Sequence, residues 1–593
     1  MEGRIRRGGR QNAYARLCAA FVAGLFLSRN LLFWPNPMSI SDFARFLGLL
    51  IFATGNSIAA DIKQPGDIPK EQPSPPDEKI ATSEMRLPVQ TVYQPPPPVV
   101  TDHLVTLPGG KMLSYKAIAG YLLLRDTDLE QPKDSGQGAA KENPQEQYDP
   151  TKGKPKAQIF FVAYLLNGTE DPASRPVAFV FNGGPGSSSV WLHMGGIGPR
   201  RVSLSDSGEA LPPPAKIVDN ESTWLDRTDL VFIDPVSTGF SRAVRGEDPK
   251  QFYGYKQDLA SVGDFIRLWT TRYSRWSSPK FLAGESYGTT RAAGLSQYLQ
   301  DRYGIYVNGI VLISSVLNFQ SIEFEPGNDV PYPLYLPGYA AAAWYHKRLP
   351  ADLEQLSLGS VLSQAEEFAS HDYLLALSHG DAVPPSEVER ASEQLARFTG
   401  LDTGYLKQVN LREPIDRFLN DLLKEQNRSI GRYDSRFTGI RIHPGTDQED
   451  FDPSDEAVNG PFTGAFNDYV RRELKFETDL PYETLVDLKS WKLADNKFLD
   501  VAASLKDAMS RNPYLKVWIC CGFYDLATPY YAAQTVVRGM NLDPTIRGNI
   551  QFTYYESGHM VYTERGSRAK LRKDLDQFVA DALSAKPVNN TAR

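Results

Sequence analysis

Short apolar runs alternate with helical patterns along the middle of the chain. From Pro176 onward, four runs are typical of buried strands: Val177–Phe181, Leu230–Ile233, Lys280–Ala283 and Ile310–Ile313. Between the second and third runs, apolar residues recur at helical spacing: Leu259, Val262, Phe265, Ile266 and Trp269. Strands that alternate with helices in this way predict an α/β fold, in which crossover helices join parallel strands and cover the sheet.

The pattern changes after Ser314. Aromatic and helical positions mix there, and no buried strand is predicted before Val517–Cys521, so we expect residues 316–505 to form an insertion that caps the sheet. The core is therefore predicted in two parts, 104–315 and 506–586, followed by a tail, 587–593. The final helix presents one apolar face to the core: Leu571, Leu575, Phe578, Val579 and Leu583.

The N-terminal region is predicted to carry a targeting signal. Basic residues precede an apolar stretch at 17–34, and a second apolar stretch, 43–53, is followed by small residues at 57–60 that are typical of a signal-peptide cleavage site. We assign residues 1–60 to targeting and expect the signal peptide itself at 38–60. An uncleaved signal anchor is the alternative.

Cleavage would leave an exported protein, periplasmic or extracellular, without a stable membrane span. The sequence leaves open whether translation starts at Met1 or Met38. Residues 61–103 are rich in proline, with Pro95–Pro98 consecutive, and predict an extended linker. A polar stretch, Asp126–Lys156, lacks apolar periodicity and predicts a surface loop or a disordered excursion.

Composition and charge narrow the class of protein. The 64 basic and 71 acidic residues give a formal net charge of -7, which does not favour a nucleic-acid partner. Three cysteines, Cys18 and the adjacent Cys520 and Cys521, provide no disulfide framework, and neighbours on a strand point to opposite faces. No H-E-x-x-H or C-x-x-C spacing occurs, so neither a metal nor another cofactor is expected. The oligomeric state is not indicated.

The strongest local motif is Gly284-Glu285-Ser286-Tyr287-Gly288, directly after a predicted strand. A serine hydroxyl is a weak nucleophile, and a G-x-S-x-G turn presents it at a sharp corner between strand and helix, where glycine permits close backbone approach. The backbone N–H of Tyr287 would then open a helix and could donate to an oxyanion. Ser286 is therefore the candidate nucleophile.

A serine nucleophile needs a base and an acid that orients the base, and both follow in the chain order expected of this motif. Asp525 lies four residues after the strand Val517–Cys521, and His559 lies four residues after the strand Ile550–Tyr555. The other six histidines lack such a position and are interpreted as surface or satisfied buried residues. We predict Ser286, Asp525 and His559 as a catalytic triad.

A glycine-rich turn follows the first buried strand. Residues 182–189 read N-G-G-P-G-S-S-S, and their glycines allow backbone amides to point at a ligand. A phosphate loop is excluded because no Lys-Ser or Lys-Thr follows. The pattern alone leaves two readings open, a second oxyanion donor or a plain turn.

The ordered set of motifs resembles the serine carboxypeptidases, which have the α/β-hydrolase fold with a large inserted cap. The set comprises N-G-G-P-G-x-S-S, Gly198-Pro199, the run 234–241 (D-P-V-S-T-G-F-S), G-E-S-Y-G, G-x-x-D and G-H-M. The resemblance covers roughly residues 104–320 and 510–585. It implies that Gly184 and Tyr287 supply the oxyanion amides, and that Asn182 and Glu285 bind the free carboxylate of a peptide C-terminus. Peptide or protein C-termini are thus the expected substrates.

Three positions depart from the family pattern. Gly196 stands where the family usually has a glutamate that joins carboxylate binding, Val180 where it has a tryptophan, and Ser187 where it has a cysteine. The low cysteine count is consistent with a bacterial-type relative. The resemblance implies that Asn182 and Glu285 hold the peptide terminus without that glutamate.

We predict a serine-type carboxypeptidase that favours acidic pH, because only a protonated glutamate can donate a hydrogen bond to a bound carboxylate. The alternatives are a serine esterase or acyltransferase on the same scaffold, or a catalytically silent binding protein. Side-chain specificity is expected to depend on the cap. Its aromatic residues either line the pocket or pack the cap: Tyr332, Tyr335, Tyr339, Trp344 and Tyr345.

Overall fold

The central strands are buried on both faces, as expected of parallel strands covered by helices. The computed structural model describes residues 93–126, 153–445, 450–494 and 497–584, all within one compact unit. Its strands are β1 (Val99–Thr106), β2 (Met112–Arg125), β3 (Pro155–Leu166), β4 (Val177–Phe181), β5 (Arg200–Val202), β6 (Ile217–Asp219), β7 (Asp229–Ile233), β8 (Arg242–Ala243), β9 (Lys280–Ser286), β10 (Gly309–Ser315), β11 (Arg428–Ile430), β12 (Thr438–Ile440), β13 (Lys516–Gly522) and β14 (Ile550–Tyr555).

Within the described residues, ten strands form one mixed sheet. Its order is β1-β2-β3-β7-β4-β9-β10-β13-β14, with β8 paired to β3. The pairs from β7 to β14 are parallel, whereas β1, β2 and β3 add an antiparallel edge. The predicted α/β-hydrolase fold is confirmed by this arrangement of mostly parallel strands flanked by helices.

The α-helices occupy the connections between strands, including the long segment before β13, and the segment that follows β14. They are α1 (Val190–Leu192), α2 (Tyr255–Arg272), α3 (Tyr287–Tyr303), α4 (Pro331–Tyr345), α5 (Ala351–Glu354), α6 (Leu358–Phe368), α7 (Leu374–Ser378), α8 (Pro385–Thr399), α9 (Thr403–Gln408), α10 (Ile415–Asp421), α11 (Pro453–Arg472), α12 (Ala502–Arg511), α13 (Tyr530–Gly539), α14 (Pro544–Arg547) and α15 (Arg565–Leu583).

Alternate residues of each central strand join two separate cores. In β4, Val177, Phe179 and Phe181 belong to one core together with α2 and α3, whereas Ala178 and Val180 belong to the core on the opposite face. The adjacent cysteines of β13 divide in the same way, with Cys521 in the first core and Cys520 in the second. This is the period-two alternation of a strand buried on both faces.

The segment predicted as a cap, 316–505, contains α4 to α11 and the short antiparallel pair of β11 and β12. Side chains of α4 extend the first core, while Phe462 and Phe466 of α11 extend the second. Helix α12 begins within the predicted segment, at Ala502, and packs against α3. This segment between β10 and β13 therefore contacts both cores.

One boundary and one predicted core residue differ from the sequence-based expectation. Strand β1 begins at Val99, inside the predicted linker 61–103, because apolar and β-branched residues there pair with β2. In α15, Leu583 is 45% exposed, since the buried face continues from Phe578 and Val579 to Ala582 instead.

Several other predictions about the chain lie wholly or mostly outside the described residues. They concern the targeting region 1–60 with its signal peptide 38–60, most of the linker, most of the polar stretch Asp126–Lys156, and the tail 587–593. Within the part of the chain that the structure describes, no helix has the length and apolar character needed to cross a membrane.

Candidate active site

Ser286 lies at a sharp turn between β9 and α3. Its backbone has φ 59° and ψ -131°, a strained conformation of the kind found at functional sites. A Cβ on Gly284 would lie 2.1 Å from the carbonyl oxygen of Gly288, and one on Gly288 would lie 2.8 Å from that of Phe181. Both glycines of the G-x-S-x-G motif are therefore required by close backbone contacts.

His559 and Asp525 meet at the carboxyl ends of β14 and β13. Nδ1 of His559 lies 2.8 Å from Oδ2 of Asp525, and both side chains are buried. The carboxylate also accepts hydrogen bonds from the backbone N–H groups of Ala527 and Thr528 and from the Thr528 hydroxyl. Burial opposes the charged imidazole, but the charge and hydrogen bond of Asp525 outweigh it and raise the pKa of His559.

The glycine-rich turn after β4 packs directly against this corner. A Cβ on Gly183 would lie 2.5 Å from the backbone nitrogen of Tyr287, so only glycine allows so close an approach. Gly184 follows with φ 96°. The two segments that carry the predicted oxyanion donors, Gly184 and Tyr287, therefore meet beside Ser286.

Asn182 and Glu285 form a buried pair next to the candidate nucleophile. Nδ2 of Asn182 donates to Oε1 of Glu285 at 2.8 Å, and Oδ1 of Asn182 accepts from the backbone N–H of Leu192 at 3.0 Å. Burial raises the pKa of Glu285 to about 7. Its other oxygen, Oε2, is buried and has no hydrogen bond of normal geometry. The pair thus holds one carboxyl group that is neutral at mildly acidic pH.

Tyr562 occupies the space next to Gly196, where the family resemblance would place a glutamate. A Cβ on Gly196 would lie 2.5 Å from Cβ of Tyr562, and one on Gly195 would lie 2.3 Å from its ring. The buried hydroxyl of Tyr562 lies next to Glu285 and Asn182 but makes no hydrogen bond of normal geometry. The two adjacent glycines make room for a tyrosine, which supplies a polar group to the pair.

A buried ion pair supports this side of the site. Nε of Arg291 donates to Asp258 at 2.8 Å, and both side chains are almost fully buried. The same carboxylate accepts from the Tyr287 hydroxyl at 3.1 Å, while Nη1 of Arg291 donates to the carbonyl oxygen of Asn182 at 2.5 Å. Arg291 therefore connects the elbow helix α3 to the glycine-rich turn, a role that no local motif indicated.

The run 234–241 has a structural role behind the turn. Oδ1 of Asp234 accepts hydrogen bonds from the backbone and the hydroxyl of Ser189, both at 2.8 Å. Burial raises the pKa of Asp234 to about 6. The Ser241 hydroxyl donates to the Asp234 carbonyl at 2.6 Å and accepts from the backbone of Phe160 at 2.7 Å. This motif anchors the glycine-rich turn to the sheet.

A segment of the insertion, residues 432–436, lies against both loops that carry the candidate acid and base. We call it the cap clamp. The carbonyl oxygen of Tyr433 accepts a hydrogen bond from the backbone N–H of His559 at 2.6 Å. The carbonyl oxygen of Arg432 accepts one from the backbone N–H of Leu526 at 3.0 Å. Asp434, paired with Arg436, accepts from the backbone N–H of Gly558 at 3.0 Å.

The predicted residues lie around one pocket. It is lined by Asn182, Gly183, Gly184, Ser187, Trp191, Glu285, Ser286, Arg432, Tyr433, Asp455, Leu485, His559 and Met560. Asp525 lies behind His559, and the side chain of Tyr287 is buried below the turn. The sequence did not point to Arg432, Tyr433 or Asp455, because they belong to the insertion and to no motif. None of the five aromatic residues considered for the cap lines this pocket, which favours packing.

Residues 139–323 match the family model of the serine carboxypeptidases. The matched segment contains Asn182, Glu285 and Ser286 but ends before Asp525 and His559. Serine carboxypeptidase-like 45 of Arabidopsis thaliana is 22% identical over 227 residues, which are 37% of this chain and 40% of that protein. The match to this relative therefore spans less than half of its length.

Two further relatives extend the comparison. Serine carboxypeptidase-like 26 of Arabidopsis thaliana is 25% identical over 394 residues, which are 63% of this chain and 72% of that protein. Among solved structures, KEX1, a prohormone-processing carboxypeptidase from Saccharomyces cerevisiae, is 15% identical, with a TM-score of 0.47 over 79% of this chain and 91% of that one. By the family model and the sequence relatives, the chain is similar to serine carboxypeptidases, most clearly over residues 139–323, which contain Ser286.

Proposed function

We propose that the protein is a serine carboxypeptidase, which removes residues from peptide C-termini. The observation that carries the proposal is the buried Asn182–Glu285 pair beside Ser286. The amide, together with a protonated Glu285, can donate hydrogen bonds to a free α-carboxylate. An esterase acting on uncharged substrates would gain nothing from this pair.

In the proposed reaction, His559 acts as the base. Because its Nδ1 side is held by Asp525, Nε2 of the neutral imidazole is left to take the proton of Ser286. The serine oxygen then bonds to the carbonyl carbon of the last peptide bond. The backbone amides of Gly184 and Tyr287 stabilise the negative oxygen that develops.

Collapse of this intermediate breaks the carbon–nitrogen bond, and His559 gives its proton to the leaving amine. Water then attacks the acyl-enzyme with His559 again as base, which releases the shortened peptide and restores Ser286. Asp525 orients the imidazolium throughout. No cofactor takes part in the proposed steps.

We further propose that the protein is exported. Export, with removal of a signal peptide, would bring the enzyme to the periplasm or the exterior, where peptide C-termini are available. We also propose that residues 316–505 form a cap on the core and determine side-chain specificity. We also propose a bacterial-type member of the family, on the basis of the low cysteine count; the relatives named above come from a plant and a yeast.

The test is digestion of a peptide at pH 5 with its C-terminus either free or amidated. We expect single residues to leave the free peptide in order, slow release from the amidated one, and no release by Ser286→Ala. Peptides extended by an N-terminal acetyl group serve as a control, because carboxypeptidase action is indifferent to that end.

The alternatives give different results. An esterase or acyltransferase would leave both peptides intact yet consume an activated ester, and would do so only with Ser286 present. A silent binding protein would consume neither, and a fluorophosphonate would not label Ser286. Either result would contradict the proposal.

A further inference from the structure

Arg432 places a cationic group in the pocket that the proposed reaction does not use. It lines the pocket together with Ser286 and His559. Its guanidinium lies over the ring of Tyr433, 4.5 Å from the centroid, and that ring lies 5.2 Å from the His559 ring. Stacking on an aromatic face leaves the edge of a guanidinium, with its N–H donors, available to a ligand.

Among the described residues, no carboxylate lies within 4 Å of the Arg432 guanidinium, so this group forms no ion pair. Arg436, two residues further along, shows the contrast, because it forms an ion pair with Asp434 at 2.6 Å and donates to the carbonyl of Glu556. The nearby Asp452 accepts instead from the backbone N–H of Arg432 and from Ser454. A partly buried arginine without an ion pair, facing a substrate pocket, is suited to an anionic ligand.

We propose that Arg432 binds a carboxylate of the substrate, and this inference rests on the proposed peptidase function. The carboxylate has two possible sources, the α-carboxylate of the peptide terminus or an acidic side chain on a residue next to the scissile bond. Both would pair with the planar guanidinium through two parallel hydrogen bonds. Arg432 is thus a specificity-determining residue contributed by the insertion.

Asp455 sets the conditions for this binding. It lines the same pocket, and burial, with the neighbouring charges of Asp452 and Glu456, raises its pKa. When ionised it repels a substrate carboxylate and attracts Arg432. Protonation of Asp455 removes both effects, so acidic conditions favour binding of a substrate carboxylate to Arg432.

The experiment compares four peptides that differ at two places: a free or amidated C-terminus, and Glu or Gln in both of the last two positions. We expect Arg432→Gln to lower kcat/KM about 10- to 100-fold for the peptides that carry the recognised carboxylate. For the matched peptide without that carboxylate, kcat/KM should change little. If amidation abolishes the loss, the recognised group is the α-carboxylate; if replacement of Glu by Gln abolishes it, the recognised group is the acidic side chain. Arg432→Lys keeps the charge but not the paired donors, so its loss should be smaller.

Arg245→Gln removes the same charge at an exposed position outside the pocket, and should leave all four rates unchanged. An equal loss for all four peptides with Arg432→Gln would show a structural role and overturn the inference, as would no loss at all. The labelling rate of each variant with a neutral fluorophosphonate shows whether Ser286 and His559 remain intact.

Failure of the proposed function would look different. If no peptide is cleaved, we would compare the labelling of Ser286 by two phosphonate probes that differ only in a carboxylate or a carboxamide. Faster labelling by the carboxylate probe, lost in Arg432→Gln, supports the inference without peptidase activity. Equal labelling by the two probes overturns it, and no labelling by either overturns both proposals.

Discussion

At the scale of single residues, the most consequential group is a carboxyl that burial keeps neutral. The pKa of Glu285, raised to about 7, means that its hydrogen-bond-donating form is present below neutrality and is lost above it. We expect kcat/KM for a free-acid peptide to fall above pH 7 by up to about tenfold per pH unit. An amidated peptide should show no such fall.

Glu285→Gln is neutral at every pH and should remove this dependence. Glu393→Gln, at an exposed position on α8, is the matched control and should keep the parental profile. Profiles measured from pH 4 to pH 9 with both peptides decide the matter. A fall above pH 7 that persists in Glu285→Gln would assign it to another group.

Tyr562 tunes the same carboxyl. Its hydroxyl stabilises the ionised form of Glu285 and therefore lowers the pKa of that group, against the larger effect of burial. In Tyr562→Phe the neutral form should persist to higher pH, so the alkaline limb for free-acid peptides should move upward. The pH profile for amidated peptides should not change. A shift to lower pH would contradict this role for the hydroxyl.

The triad candidates were recognisable from sequence because each follows a strand in a short motif. Tyr562 and Arg432 were not recognisable in this way. Tyr562 contacts Gly195 and Gly196 across more than 360 residues of chain, and Arg432 reaches the pocket from an insertion. Such contacts depend on the packing of distant elements, which apolar periodicity does not encode.

At the scale of elements, the cap clamp is the part that fixes the candidate base. Asp434 accepts from Gly558 N–H, one residue before His559. Asp434→Asn keeps the shape but weakens this bond and the pairing with Arg436, so we expect kcat to fall about tenfold or more while KM changes little. Asp434 therefore contributes to the positioning of the imidazole and not to substrate binding.

Asp329→Asn breaks an ion pair of similar geometry with Arg412, elsewhere in the insertion, and is the control. Its kcat should remain within about twofold of the parent. Neither a longer peptide nor a higher substrate concentration should restore the kcat of Asp434→Asn. A variant that raised KM alone would place Asp434 in substrate binding instead.

Elements of the sheet were the easiest to predict, and those of the insertion the hardest. Strands buried on both faces have continuous apolar runs, as in β4, β9 and β13, and these were recovered within a few residues. The insertion buries its side chains against two cores through short helices, which leaves mixed patterns. In helix α15 the prediction was wrong for one residue, because the buried face continues at Ala582 and Leu583 is exposed.

At the scale of the whole molecule, buried titratable groups set how stability responds to acid. Burial raises the pKa of Asp234 to about 6 and of Glu413 to about 7, so these neutral carboxyls favour the fold as pH falls. His193 acts in the opposite direction. It is buried between the sheet and α11, where Nε2 lies 2.6 Å from the Tyr164 hydroxyl, and burial lowers its pKa to about 3.

The unfolded chain protonates His193 near pH 6.5, whereas the folded protein resists protonation down to about pH 3. Its contribution to stability is therefore complete above pH 6.5 and is lost as pH falls, by about 1.4 kcal/mol per pH unit. His193→Asn has no imidazole and therefore does not lose stability in this way as pH falls. At pH 7 it should be less stable than the parent, because it lacks the ring that stacks on Phe232 at a centroid distance of 4.2 Å. The difference in unfolding free energy between variant and parent should narrow steadily from pH 6.5 downward in urea titrations. His371→Asn, at an exposed position, should show a constant difference. If the unfolding free energies of His193→Asn and the parent keep a constant difference with pH, the buried imidazole is already in its charged form in the folded protein.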